Sequence, residues 1–140
     1  MHNYYAARNY TDTLENDNDH IMVKIPLHGG KDSESVIINA MIDSGATEDF
    51  IDTEVCNKHG IIMIKAKYPR EIYLVDGKPS AMGPVTHMTN VPIDISSHRE
   101  LATIQVANLQ NHAVILGMPW LREHNPTIDW NDKRITFNSE

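Results

Sequence analysis

The sequence is poor in cysteine, in aromatic residues and in positive charge. One of its 140 residues is Cys, 6% are aromatic, and 12 Lys and Arg stand against 19 Asp and Glu, giving a formal net charge of −7. A single Cys excludes an internal disulfide, which argues against a small secreted disulfide scaffold and predicts a reducing compartment. The negative net charge argues against partners such as nucleic acid or an anionic membrane, because binding them requires clustered Lys and Arg.

Long apolar runs and ligand motifs are also missing. The longest apolar run, residues 61–64, is far too short to span a bilayer, and the N-terminus lacks the basic and apolar regions of a signal peptide. There is no HExxH, no Cys-x-x-Cys and no Gly-rich phosphate loop, so neither a metal nor a cofactor is predicted. These absences favour an intracellular protein, and the length suits one domain.

The first 19 residues differ in composition from the rest. Asp12, Glu15, Asp17 and Asp19 are opposed there by Arg8 alone, and no apolar periodicity is visible. Such a segment cannot bury enough apolar surface to offset the entropy of ordering it. The sequence therefore predicts a flexible lead-in over residues 1–19 and a folded domain over residues 20–140.

The folded part has the pattern of an all-β protein. Apolar residues alternate over residues 21–27, and residues 36–42 are almost continuously apolar, as in a strand covered on both faces. Turn residues separate further short strands, which are predicted at residues 71–75, 85–88, 91–95, 101–106, 114–116, 127–130 and 134–137. One helix is predicted over residues 52–59, with Asp52 as N-cap and Gly60 after its end, and a second follows Pro119. Many short strands favour a barrel or sandwich.

Asp43-Ser44-Gly45 stands where the apolar second strand ends. The tripeptide alone is also compatible with an ordinary β-turn, which favours Asp at its first position and Gly near its end. Its surroundings carry more information. Residues 42–47 (Ile-Asp-Ser-Gly-Ala-Thr), 114–121 (Val-Ile-Leu-Gly-Met-Pro-Trp-Leu) and 125–130 together resemble the aspartic protease of gypsy-type LTR retrotransposons, a branch of the retropepsins. The resemblance covers about residues 20–138.

This resemblance implies an acid-protease fold: an all-β, closed barrel-like protomer with one or two short helices that forms a homodimer. Asp43 is the implied catalytic residue. Because the chain contains one Asp-Ser/Thr-Gly string, it cannot supply both aspartates of the site by itself, and a second copy is required. The family motif gives Ser44 and Gly45 the role of supporting the active-site loop.

The resemblance also implies a substrate cleft for an extended peptide. A flap hairpin is expected at residues 76–83, although the same residues are compatible with a plain surface turn. Ile115 is compatible equally with a pocket wall and with the core. The expected substrate-binding residues are Ala46, Thr47, Glu48, Asp76, Gly77, Met82, Ala113 and Ile115. Retroviral members carry Arg after the downstream Gly, whereas this chain has Met118, so Trp120 is expected to pack under the barrel instead.

The predicted function is an aspartic endopeptidase that processes a retroelement polyprotein in the cytoplasm or in virus-like particles. A second hypothesis is a catalytically silent or domesticated retropepsin-like module for dimerisation or peptide binding. The intact Asp-Ser-Gly-Ala-Thr string counts against it, because a silent copy has no chemical need for Asp43. A third is a protease whose dimer is held chiefly by other parts of a polyprotein.

Overall fold

The computed structural model describes residues 4–6, 20–28, 35–74, 77–80, 82–95 and 98–137. This part of the chain contains eleven strands and two short helices. In chain order they are β1 (Tyr4–Ala6), β2 (Ile21–Leu27), β3 (Val36–Ile42), β4 (Phe50–Asp52), α1 (Thr53–His59), β5 (Ile64–Arg70), β6 (Ile72–Leu74), β7 (Val85–Ile95), β8 (His98–Ala107), β9 (Val114–Leu116), α2 (Met118–His124), β10 (Thr127–Asp129) and β11 (Arg134–Thr136).

Six strands close into a barrel in the order β2-β3-β9-β4-β8-β7, and β2 meets β7 again through Leu27 and Ile93. β5 is added to the outside of this ring on β7, while β10 pairs antiparallel with β11 in a separate hairpin. Inward-facing residues such as Ile25, Ile93 and Leu116 form the main core cluster. The structure confirms the predicted all-β closed barrel with two short helices.

The strongest sequence patterns give elements with the predicted bounds. β2 and β3 pair antiparallel along their whole length, from Ile21 opposite Ile42 to Leu27 opposite Val36. The carboxylate of Asp52 accepts a hydrogen bond of 3.1 Å from the Glu54 amide and so caps α1. Gly60 ends α1 in the left-handed conformation with φ of 69°. These details confirm the predicted helix and both of its caps.

Several elements differ from the prediction. β4 and β5 were not predicted, because β4 has only three residues and β5 lacks a period-two apolar pattern and contains Pro69. The strands predicted at residues 85–88 and 91–95 form one continuous strand, β7. Pro92 does not interrupt this strand, because it keeps its place in the ladder with β8, opposite Leu101. Within the predicted lead-in, residues 4–6 form β1, which pairs parallel with β6, and residues 7–19 lie outside the described part of the chain.

Both helices in the described ranges are seven residues long, and neither is long and apolar enough to cross a membrane.

Candidate active site

The candidate site lies where the short strand β9 inserts between β3 and β4, two strands that follow each other in the sequence. β9 pairs parallel with β3 on one side and antiparallel with β4 on the other. The loop that joins β3 to β4, residues 43–49, therefore passes over the end of β9. Leu116, the last residue of β9, accepts a hydrogen bond of 2.9 Å from the amide of Asp43. The two sequence motifs that are far apart in the chain meet at this point.

Asp43 begins this loop, and its side chain is held by the loop backbone. The Gly45 amide donates to Oδ1 of Asp43 over 3.0 Å, and the Ala46 amide donates to the Asp43 carbonyl over 3.0 Å. Asp43 is only 3% exposed, whereas the next residue, Ser44, is exposed. The loop thus fixes one carboxylate at the end of a buried strand and presents a hydroxyl beside it.

Gly117 joins this loop to the start of α2. Its amide donates to Oδ1 of Asp49 over 2.7 Å, and the next amide, that of Met118, donates to the Ala46 carbonyl over 2.9 Å. A Cβ on Gly117 would lie 2.4 Å from the carbonyl oxygen of Glu48 and 2.6 Å from that of Ala46. Only glycine fits against these two backbone carbonyls, which explains the Gly of the downstream motif.

Asp49 is a site residue that sequence reasoning missed. The pKa of its carboxyl is raised to about 6. Burial is the main cause, hydrogen bonds from the backbone of Gly117 and Trp120 oppose the shift, and nearby Glu48 and Glu123 add to it. Its backbone carbonyl also accepts from the Gln105 amide over 2.9 Å, so Asp49 connects the loop to β8 as well. In the sequence, an Asp before an apolar pair cannot be told from an ordinary turn residue.

Glu48 points away from the loop and pairs with Arg70 at the end of β5. The two guanidinium nitrogens lie 2.6 and 3.1 Å from the two carboxylate oxygens, a two-pronged ion pair. The Glu48 side chain is 12% exposed and that of Arg70 is 31% exposed. Thr47, between Ala46 and Glu48, is exposed. The predicted substrate-binding residue Glu48 is therefore already engaged within the protomer.

The remaining predicted binding residues divide between two clusters. Ala46 and Ile115 are fully buried in a second apolar cluster, against which Met82 is packed. This cluster lies beside the predicted flap, because it contains Ile72 of β6, which precedes the flap, and Val85 of β7, which follows it. Ala113 is half-buried against the main core cluster instead. The structure thus brings Ala46, Ile115 and Met82 together and leaves Ala113 apart from them.

The predicted flap is a connection between β6 and β7. The Ser80 amide donates to the Ile72 carbonyl over 2.7 Å, and the Ser80 carbonyl accepts from the Gly83 amide over 3.1 Å. Gly77 is exposed and has φ of 86°, a conformation that favours glycine. Asp76 lies outside the described residues, so its predicted contact with substrate stays a prediction.

Two residues that sequence analysis singled out lie in the core. Trp120 is buried in the main cluster, edge-on to Phe137 with 5.7 Å between the ring centroids, in agreement with its expected packing. Cys56 is buried on α1, and desolvation raises the pKa of its thiol to about 11. A thiol in that environment stays protonated and is a poor nucleophile.

Solved structures share this fold. The retroviral protease-like domain of Ddi1 from Leishmania major is 16% identical, with a TM-score of 0.54 over 85% of this chain and 95% of that chain. The EIAV protease, solved with the inhibitor HBY-793, is 16% identical, with a TM-score of 0.56 over 81% of this chain and 96% of that chain. At these identities the likeness concerns the fold.

The family assignment comes from a direct match to a family model. The model of the PEG10/RTL1 protease domain matches residues 39–140, which include the Asp-Ser-Gly loop, the flap and the Leu-Gly motif. With the shared fold, this match confirms the retropepsin-type resemblance. The chain belongs to the PEG10/RTL1 protease domain family, a gypsy-derived group of retropepsin-type aspartic protease domains.

Proposed function

We propose that this protein is an aspartic endopeptidase that acts as a homodimer on an extended segment of a retroelement polyprotein. The observation that carries this proposal is the geometry of Asp43. A single carboxylate is fixed by the Gly45 amide at the end of a buried strand, and the loop around it is held by β9 and Gly117. Rigid placement of a carboxylate is what general acid–base catalysis needs.

The chemistry requires a second copy of Asp43. Two carboxyl groups about 3 Å apart cannot both ionise, so the pair shares one proton. The ionised member accepts a proton from a bound water, and the protonated member donates a hydrogen bond to the carbonyl of the scissile peptide. The water oxygen then adds to the carbonyl carbon without a covalent enzyme intermediate. Because one shared proton is needed, activity is expected to be highest at mildly acidic pH.

Ser44 supports the requirement for a dimer. It is exposed in the protomer although Asp43 beside it is buried. An exposed hydroxyl next to the carboxylate is available to bond across a two-fold axis and to hold the two loops together. In this proposal Gly45 allows close approach of the backbone, Thr47 and the flap residues Gly77 and Met82 contact the peptide, and Ala46 contributes its backbone. The setting is the cytoplasm or a virus-like particle, as predicted from the sequence.

Cleavage of a peptide mixture at increasing protein concentration tests this proposal. Specific activity should rise with concentration, since only the dimer contains two aspartates, and pepstatin should inhibit it. Asp43→Asn, which preserves shape, should abolish cleavage while the unfolding transition is retained. Asp132→Asn is the matched control, because Asp132 is an exposed carboxylate whose loss should leave cleavage unchanged.

Two outcomes would contradict the proposal that this protein is an aspartic endopeptidase. Cleavage by Asp43→Asn at the rate of the unaltered protein would show that another group is the catalyst. Absence of cleavage at every concentration, with a dimer present by sedimentation, would favour the silent module for dimerisation or peptide binding. Cleavage only when longer flanking polyprotein segments are attached would indicate that those segments hold the dimer.

A further inference from the structure

β5 has an unusual position in this fold. It lies outside the six-stranded ring and pairs with β7 alone, so none of the described strands covers its other edge. The pairing with β7 is itself interrupted: Lys65 is opposite His87 and Arg70 is opposite Val85, which leaves residues 66–69 facing the single residue Thr86. These four residues bulge from the ladder, and on the edge that no described strand covers the backbone groups of Ala66, Lys67 and Tyr68 are able to pair with another extended chain.

The side chains of β5 are exposed on both faces. Every residue of the strand is exposed or half-exposed, and Tyr68 is 70% exposed. Ile64 and the preceding Ile62, which is 78% exposed, add apolar surface to the same segment. Large apolar side chains on a free strand edge are typical of surfaces that bind an added strand.

The charge of this segment is opposite to that of the whole protein. Four of the 12 Lys and Arg residues fall within residues 55–70 (Lys58, Lys65, Lys67 and Arg70), and this stretch contains no Asp or Glu, although the formal net charge is −7. Lys65 and Lys67 are exposed on β5. Such a basic strand on an acidic protein is complementary to an acidic chain.

The end of β5 is continuous with the candidate active site. Arg70, its last residue, makes the two-pronged pair with Glu48 of the active-site loop. A peptide that leaves the cleft past Glu48 would therefore meet β5 next. Lys and Pro on a free edge also discourage aggregation, but that role does not require the exposed Ile and Tyr side chains.

We propose that β5 is a docking site for an acidic, extended segment that flanks the scissile bond of the substrate. The segment pairs edge to edge with the bulged residues 66–69, its carboxylates meet Lys65 and Lys67, and its apolar side chains rest on Ile64 and Tyr68. This inference rests on the proposed function for the identity of its ligand. The docking itself is measurable without cleavage.

The first experiment measures binding in the Asp43→Asn background. The probe is a fluorescent decapeptide of alternating Glu and Val, and its anisotropy is followed at low ionic strength. In the Lys65→Glu/Lys67→Glu variant, which reverses both charges, the affinity for the probe should fall by about tenfold or more. Lys24→Glu/Lys133→Glu changes the net charge equally at exposed lysines elsewhere, and it should change affinity less than about twofold. If the doubly reversed β5 variant does not fold, Lys65→Gln/Lys67→Gln replaces it, with a smaller loss expected.

Three results would overturn the docking site: absence of binding to the Asp43→Asn chain, equal losses in the two charge-reversed variants, or equal binding of a Gln-Val decapeptide. Hydrogen exchange locates the probe, since the amides of Ala66, Lys67 and Tyr68 should exchange more slowly when it is bound. Unchanged exchange there would place the probe elsewhere and would also overturn the inference.

The second experiment uses the active chain and two peptide substrates, one with an acidic flank and one without. The ratio of their kcat/KM values should favour the acidic flank, and Lys65→Glu/Lys67→Glu should bring it to about one, mainly through KM. A ratio that the variant does not change would contradict the docking site. If neither peptide is cleaved while the Glu-Val probe binds as expected, the proposed catalytic function fails and the docking site stands.

Discussion

The amide of Gly117 donates a hydrogen bond of 2.7 Å to Oδ1 of Asp49, although the two residues are 68 positions apart in the chain. This contact fixes the last residue of the active-site loop to the first turn of α2. The loop that begins at Asp43 is therefore held at its other end by the half-buried carboxylate of Asp49.

Gly117→Ala is expected to destabilise the protein and to inactivate it. The new Cβ would meet two backbone carbonyls at 2.4 and 2.6 Å, and neither can move as a flexible side chain would. We expect a loss of about 3 kcal/mol in the free energy of unfolding, at the upper end for overpacking. Gly77→Ala is the control: it has open space but a left-handed φ of 86°, and it should cost about 1 kcal/mol. Equal losses in urea denaturation would contradict the steric account.

Asp49 should make the fold more stable at acidic pH. The pKa of its carboxyl rises from 3.8 to about 6 in the folded protein, so between these values the native state holds a proton that the unfolded state has released. Stability from this group is therefore present below about pH 4 and is lost as pH rises to about 6, by at most about 1.4 kcal/mol per pH unit.

Comparison with Asp49→Asn isolates this effect. The amide oxygen of Asn can still accept from Gly117, and it does not titrate. The difference in unfolding free energy between the two proteins should change across pH 4 to 6 and stay constant above that range. If the unaltered protein instead gained stability relative to Asp49→Asn as the pH rises from 4 to 6, the folded protein would stabilise the ionised carboxylate of Asp49, contrary to this prediction.

Glu48 and Arg70 are expected to be energetically coupled. Their pair is two-pronged and largely shielded from water, whereas the pair between Arg134 and Asp132 is exposed by 67% and 59%. A double-mutant cycle with Glu48→Gln and Arg70→Lys should give a coupling energy of about 1 kcal/mol. The matched cycle at Asp132 and Arg134 should give less than about 0.5 kcal/mol. Similar values for the two cycles would rule out a special role for the Glu48 pair.

Asp52→Ala should cost more than the loss of a helix cap alone. One carboxylate oxygen accepts from the Glu54 amide over 3.1 Å, and the other accepts from the buried Leu109 amide over 2.8 Å. The expected loss is about 2–3 kcal/mol, because an N-cap and a buried acceptor are removed together. Glu54→Gln leaves the Glu54 amide in place and should cost less than about 0.5 kcal/mol. A loss below about 1 kcal/mol for Asp52→Ala would show that water replaces both bonds.

Local patterns predicted much of this fold, since burial period and capping residues act over a few positions. β2, β3 and α1 carry such patterns, and the Asp43 loop follows from one tripeptide at a strand end. The contacts that hold the site are different in kind. Asp49 with Gly117 and Glu48 with Arg70 join residues 68 and 22 positions apart, and no local signal marks either acid. β5 was not predicted because its residues lie at an exposed strand edge and lack the alternating apolar pattern of a strand that packs on a core.

The insertion of β9 between β3 and β4 has a consequence for when the protein can work. β3 and β4 do not pair with each other. Among the described strands only β9 pairs with both, and it is synthesised more than sixty residues after β4. Closing so long a loop is slow relative to forming local structure. A nascent chain that has emerged only as far as the predicted flap therefore lacks the Leu116 carbonyl and the amides of Gly117 and Met118, which bond the loop that carries Asp43. In the proposed enzyme, cleavage therefore cannot begin before β9, in the last third of these 140 residues, has emerged.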